Sequence, residues 1–178
     1  MKKLLILTFA LSSFAAFSQI GIRAGWQNSN MFYDGTETIG SNLHFFYVGA
    51  YKNFDLASSF IQFHAGAEYT RVGWSENDNN YRRIDCINIP LGVRLNLGPI
   101  FAQGGIGPNI ALREEYYIAG VDVLNDDNKM NTFDWPAHLG VGLALGPLVI
   151  EARYYLSLTS ANDDGRVGFL QFGGAIQL

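Results

Sequence analysis

The sequence predicts an all-β fold: an eight-stranded antiparallel up-and-down β-barrel that crosses a membrane. Three observations carry that prediction. Apolar residues recur at every second position over long stretches, no charged side chain falls on those positions, and short Gly-Pro turns alternate with longer polar connections. A period of two marks strands with one greasy and one polar face. Closing such strands on themselves leaves no unpaired edge in hydrocarbon and makes an outer wall that lipid can wet.

Strands are expected over 19–28, 43–53, 59–72, 84–97, 100–113, 134–146, 148–159 and 168–178. The first is short, with Gly21, Arg23 and Gly25 on its polar face. In the second, His44 and Lys52 place Leu43, Phe45, Tyr47, Gly49 and Tyr51 outward and leave Phe46 and Val48 inward. The third sets Ile61, Phe63, Ala65, Ala67 and Tyr69 against Gln62, His64, Gly66, Glu68 and Thr70. The fourth sets Ile87, Ile89, Leu91, Val93 and Leu95 against Asn88, Gly92, Arg94 and Asn96. The fifth turns Gln103, Gly105, Gly107 and Arg113 inward. The sixth shows Trp135, Ala137, Leu139, Val141, Leu143 and Leu145 outward, with His138, Gly140 and Gly142 inside. In the seventh, Ile150, Ala152, Tyr154, Leu156 and Leu158 alternate with Glu151, Arg153 and Ser157. The eighth carries Gln171 and Gly173 inward.

The turns Leu95-Asn96-Leu97-Gly98-Pro99 and Leu143-Ala144-Leu145-Gly146-Pro147 are near copies, a likeness of turn chemistry. Segments 29–42, 73–83, 114–133 and 160–167 read as long polar loops holding most of the charge, including Asp126-Asp127 and Asp163-Asp164. Tight turns at one end and long loops at the other are the pattern of outer-membrane barrels. Trp26, Tyr69, Trp74, Tyr116, Tyr117 and Trp135 are expected in an aromatic belt at the loop end, with Tyr51, Phe54 and Phe101 at the turn end. Pro90, Pro108 and Pro136 fall inside strands, where each removes a ladder hydrogen bond, and Leu178 stands where an aromatic is common.

Residues 1–18 read as a cleaved signal peptide, and 19–178 as one barrel domain. Lys2 and Lys3 precede an apolar run from Leu4 to Phe17, too short for a spanning helix, and Ala16-Phe17-Ser18 fits a cleavage site. Losing those two lysines moves the formal charge from −4 to −6. An acidic chain without a basic cluster argues against a nucleic-acid partner. Charged residues make up 16% of the chain, below the roughly 25% of soluble domains. The lone Cys86 has no partner for an internal disulfide and reads as a small lumen-facing residue.

Alternation alone does not separate a lipid-facing barrel from a soluble lipocalin-like carrier, which swaps inside and outside. Glycine separates them. Nine glycines (21, 25, 66, 92, 105, 107, 140, 142 and 173) lie on the polar face, and three (49, 104 and 174) on the apolar one. On a solvated face glycine weakens a strand for nothing. In a narrow lumen it makes room for Arg, His and Tyr from other strands.

The strand Ile84-Asp85-Cys86-Ile87-Asn88-Ile89-Pro90-Leu91-Gly92-Val93-Arg94-Leu95-Asn96-Leu97-Gly98 resembles the "Ile-Pro-Leu" strand of the PorT-like outer-membrane β-barrel family. Segments 60–69, 104–107 and 148–154 and the leader ending in Ser18-Gln19 are similar to that family as well. The resemblance covers 60–178 well and the first two strands weakly. It implies an outer-membrane barrel of a family whose members range from orphans to parts of secretion machinery, and it brings no catalytic set.

The residues themselves offer no catalytic constellation. A lipid A deacylase of barrel type wants His and Ser two apart on one face. His44, His64 and His138 are followed two positions on by Phe46, Gly66 and Gly140. Asp134, His138 and Glu68 form a weak acid-His grouping of protease kind. The histidines lack metal-ligand spacing, Asp126, Asp127 and Asn128 lack the ligand ladder of a calcium loop, and no cofactor is implied. Two groups remain. Arg23, His64, Glu68, Arg94, Arg113, His138, Glu151 and Arg153 are expected to form a lumen polar network that braces the barrel. Tyr116, Tyr117, Ile118, Val121, Asp126 and Asp127 form a candidate extracellular contact loop. The favoured function is a non-enzymatic structural or partner-binding role in the envelope. The implied partners are outer-membrane lipid and other envelope proteins; the alternatives are a narrow solute or ion pore and a soluble lipocalin-like carrier of an apolar ligand.

Overall fold

The computed structural model describes residues 20–33, 36–37, 41–126, 128–159 and 165–178. Eight strands follow one another around a ring. They are β1 (Ile20–Tyr33), β2 (Ser41–Ser58), β3 (Ile61–Asn77), β4 in two pieces (Asn80–Asn88 and Leu91–Leu97), β5 in two pieces (Ile100–Ile106 and Asn109–Ile118), β6 in two pieces (Phe133–Asp134 and Pro136–Leu145), β7 (Leu148–Ser157) and β8 (Gly165–Gln177). Short pieces Thr36–Glu37 and Val121–Asp122 pair back onto β1 and β5. Every neighbour pair is antiparallel, and β1 closes on β8 from Gly21↔Gln177 to Tyr33↔Gly165. Among the described residues, no strand edge is left open along the spanning part of the wall.

The side chains sort as a membrane barrel requires. Leu139 is 74% exposed and Val141 60%, whereas Arg23 and Arg153 are 0% and 1% exposed. Charge inside and aliphatic residues outside are the reverse of a soluble carrier, so the lipocalin-like alternative is set aside.

Prolines 90, 108 and 136 sit where β4, β5 and β6 each break into two pieces. The breaks lie side by side, and each proline carbonyl still accepts a hydrogen bond from the strand before it. Gly66 N donates to Pro90 O (3.0 Å), Ile89 N to Pro108 O (2.9 Å) and Gly107 N to Pro136 O (3.2 Å). The missing donors are thus gathered into one seam across three strands instead of scattering defects through the ladder. A Cβ on Gly107 would lie 1.9 Å from Ile89 O, so the seam closes only with glycine there.

Three expectations are corrected. The phase of β2 is reversed: Leu43, Tyr47 and Tyr51 are buried inside, while His44, Phe46, Val48 and Lys52 face outward. Lumen glycines decide this. A Cβ on Gly21 would meet the Tyr51 ring at 2.2 Å, and one on Gly25 the Tyr47 ring at 2.8 Å, so these rings fill space vacated on β1. Lys52 and His44 lie toward opposite ends of the span, where polar tips reach the interface, and each has an aromatic neighbour outside, Phe54 and Trp26 respectively. Gly49 moves to the lumen with this phase.

The long loops are shorter than expected, because 29–33, 73–77, 80–83, 114–118 and 165–167 are strand. Between β3 and β4 only Asp78-Asn79 remains. Above the lipid the outer face need not be apolar, so the ladder continues while the period-two signal fades. Finally, the belts are smaller: Trp26, Tyr69, Trp135 and Phe54 face outward, but Tyr51 and Phe101 are buried in the lumen and Trp74 and Tyr116 pack at its mouth.

Candidate functional site: a braced lumen and a latched mouth

The lumen is filled in layers. Nearest the turns, Tyr51, Phe101, Val149 and Ala175 form an apolar collar. Above it lies a charged layer contributed by β1, β3 and β7. Glu68 Oε1 accepts from Arg153 Nη1 at 2.5 Å and faces Arg23 Nη1 at 3.3 Å. Glu151 Oε1 accepts from Arg23 Nη1 at 3.2 Å and lies 3.4 Å from Arg153 Nε, while Gln103 Nε2 approaches its Oε2 at 3.5 Å. Two guanidiniums thus share two carboxylates inside the tube, so that each buried charge faces one of opposite sign. Alternation on β7 puts Glu151 and Arg153 on one face, and Gly140 beside them leaves room, since its Cβ would stand 2.6 Å from Arg153 Cγ.

His64 extends the layer toward the turns. Arg23 Nη2 lies 2.8 Å from His64 Nε2, and His64 Nδ1 lies 2.7 Å from Asn53 Oδ1. Arginine only donates, so Nε2 accepts and Nδ1–H donates to Asn53. The ring is a relay of hydrogen bonds, with no lone pair left for a metal. His138 stacks on Tyr155 with centroids 5.1 Å apart, and Tyr155 on Phe169 at 4.4 Å.

Arg113 does not join them. Asp85 pairs with Arg113 but Cys86 with Ala111, so Leu112 is an extra residue that switches the face of β5. The Arg113 side chain is 71% exposed and pairs with Glu115 at 2.8 Å outside the barrel. The same bulge turns Glu114 inward, which alternation alone did not anticipate. Glu114 takes Arg82 Nε at 2.7 Å and the backbone N of Met130 at 3.0 Å, while Arg82 Nη2 donates to Asn128 O at 2.5 Å. This buried pair latches the segment after β5 across the loop-side mouth. Below the latch Met31, Val72, Ile84, Cys86, Met130, Val167 and Phe169 form an apolar cluster inside the tube. Sequence periodicity missed it because the pattern inverts here: Val72, Ile84 and Cys86 turn inward while Arg71, Arg83 and Asp85 alternate with them on the outer face, where Arg71 and Asp85 pair at 2.6 Å.

Of the contact-loop residues, Tyr116 lies under the latch near Arg82 and Trp74. Tyr117 stacks on Tyr81 at 5.1 Å. Ile118 and Val121 flank a two-residue turn, Ala119-Gly120, and are 45% and 62% exposed. Asp126 is exposed, and Asp127, like Asp163, Asp164 and residues 1–18, where a leader is expected, lies outside the described residues. Asp134 binds the hydroxyls of Ser157 and Thr159, and no hydrogen bond joins it to His138 among the described residues. The acid-His grouping of protease kind is therefore not assembled.

Residues 11–163 match the family described as outer membrane protein beta-barrel domain. The chain belongs to that family. As a member of it, the protein resides in the bacterial outer membrane. The outer membrane protein β-barrel domain seen here is similar to Neisserial surface protein A, NspA, at 15% identity and a TM-score of 0.59, over 89% of this chain and 97% of that one. It is also similar to Ail, the attachment invasion locus protein of Yersinia pestis, solved with the heparin analogue sucrose octasulfate. That likeness has 16% identity and a TM-score of 0.54, over 89% of this chain and 97% of that one. Both likenesses concern the fold. No curated protein matches the chain.

Proposed function

We propose that this barrel is a non-enzymatic outer-membrane protein that acts at its loop-side surface, as a structural or partner-binding subunit of an envelope complex. The observation that carries this reading is the filled lumen. Its charged layer is internally paired, an apolar cluster packs toward the loop side, and the Arg82–Glu114 latch holds a segment over the mouth. What remains available to a partner is the rim, where Ile118 and Val121 expose apolar surface at the tip of a paired strand extension. Asp126 and Asp127 belong to the same loop. The Ile89-Pro90-Leu91 motif supports a PorT-like affiliation within the family, and the leader 1–18 would direct export.

Photo-crosslinking from position 121 in intact cells tests the proposal. A discrete crosslinked envelope protein is expected, and its loss on Val121→Asp with folding unchanged. Only lipid or self-adducts would refute a partner-binding rim. Steady single-channel conductance in planar bilayers would instead favour a pore and contradict the filled lumen.

A further inference from the structure

At the turn-side end, one charged group stands outside the bracing network. Arg94 is 4% exposed, yet it forms no ion pair among the described residues. Its guanidinium carbon lies 3.5 Å from the centroid of the Phe101 ring, and its Nε donates to Asn96 Oδ1 at 2.8 Å. Neither Nη atom has an acceptor among the described residues. The carboxylates above are already committed, since Glu68 and Glu151 are each shared by Arg23 and Arg153. Among the side chains of the described residues, this half of the lumen therefore sets three arginines, Arg23, Arg94 and Arg153, against the two carboxylates of Glu68 and Glu151.

A cavity of about 590 Å³ opens at this end, lined by Asn53, Gln62, Arg94, Asn96, Gln177 and Leu178 among others, with no Asp or Glu side chain among them. The nearby acid, Asp55, is held by Gln62 Nε2 at 2.7 Å. Asn53 gives its Oδ1 to His64, which leaves its Nδ2 as a donor. A cation withdrawn from water without a counter-charge is costly. Here its free edge meets a polar cavity of a volume typical of small-ligand sites. We propose that this turn-side vestibule binds a small carboxylate ligand that also carries an amide, with Arg94 as its charge anchor. One guanidinium balances one carboxylate and can grip it with two parallel hydrogen bonds. The carboxamides of Asn53 and Gln177 complement the amide, whereas a dianion would lack a second cation.

Calorimetric titration of the purified full-length barrel in detergent tests this, with N-acetylglycine as the probe. Saturable binding is expected. The methyl ester of the probe and inorganic phosphate should bind about tenfold more weakly or worse. Arg94→Gln should weaken the probe by at least about tenfold. Gln177→Glu, which places a carboxylate in the vestibule and leaves Arg94 in place, should do the same, and it decides the matter should Arg94→Gln not fold. Absence of saturable binding, equal binding of the ester or phosphate, or unchanged binding in a folded variant would each overturn the proposal.

Discussion

Replacing Glu68 with Gln removes one charge from the centre of the barrel and changes almost nothing in shape. Glu68 is 1% exposed, and its Oε1 serves both Arg153 Nη1 at 2.5 Å and Arg23 Nη1 at 3.3 Å. An amide oxygen can still accept one of those bonds, but two guanidiniums then share the single carboxylate of Glu151. Breaking a buried pair by removing one partner costs about 3–5 kcal/mol. A shift of 2–4 °C for each kcal/mol, usual for a domain of this size, gives a fall of roughly 6–20 °C in the unfolding midpoint. Folded barrels migrate faster than heated ones in detergent gels, so band position against heating temperature reads the midpoint. Adding Arg153→Met should restore part of the loss by removing the stranded cation. A midpoint within about 2 °C of the parent, or a double variant as unstable as the sum of its parts, would refute the bracing role.

Three further outcomes follow from the same geometry. Glu151→Leu should also lower heat resistance in the gel-shift assay, by less than Glu68→Gln, because its contacts are longer at 3.2 and 3.4 Å. Arg113→Leu should leave the unfolding free energy within about 0.5 kcal/mol of the parent, as expected for an exposed side chain, whereas Arg153→Leu should lower it by about 3 kcal/mol or more. Gly142→Ala should destabilise by about 1–3 kcal/mol, since its Cβ would sit 2.2 Å from the Phe101 ring, while Gly146→Ala at the turn meets no neighbour and carries only the cost of its φ of 62°. Guanidinium titration of the folded protein followed by tryptophan fluorescence separates these cases.

Much of the barrel wall was legible in the chain because lipid imposes a one-sided rule. Where one face must be aliphatic, as from Ile87 to Leu95 or Leu139 to Leu145, alternation reports phase directly. Where the rule lapses, so does the signal. On β2 aromatic residues occupy both faces, and the choice fell to Gly21 and Gly25 on the neighbouring strand, a pairing that period alone does not contain. On β5 the bulge at Leu112 moved Arg113 out and Glu114 in. Its trace is the charged run Arg113-Glu114-Glu115, where no alternation survives. The latch was hidden for a related reason: Arg82 and Glu114 lie in polar segments that read as loop, although strand pairing carries them into the mouth. The lumen set Arg23, Glu68, Glu151 and Arg153 was nameable from face alone, but its sharing pattern required the strands to be closed.

Spin labels in lipid bilayers test the orientation of the wall most directly. Labels at 139, 141 and 156 should relax readily with dissolved oxygen and resist a water-soluble nickel reagent, as groups bathed in hydrocarbon do. Labels at neighbouring positions 138 and 155 should be shielded from both. If nickel reached 139 and 141 while the labels at 138 and 155 met oxygen freely, the faces would be inverted and the membrane-barrel account would fail.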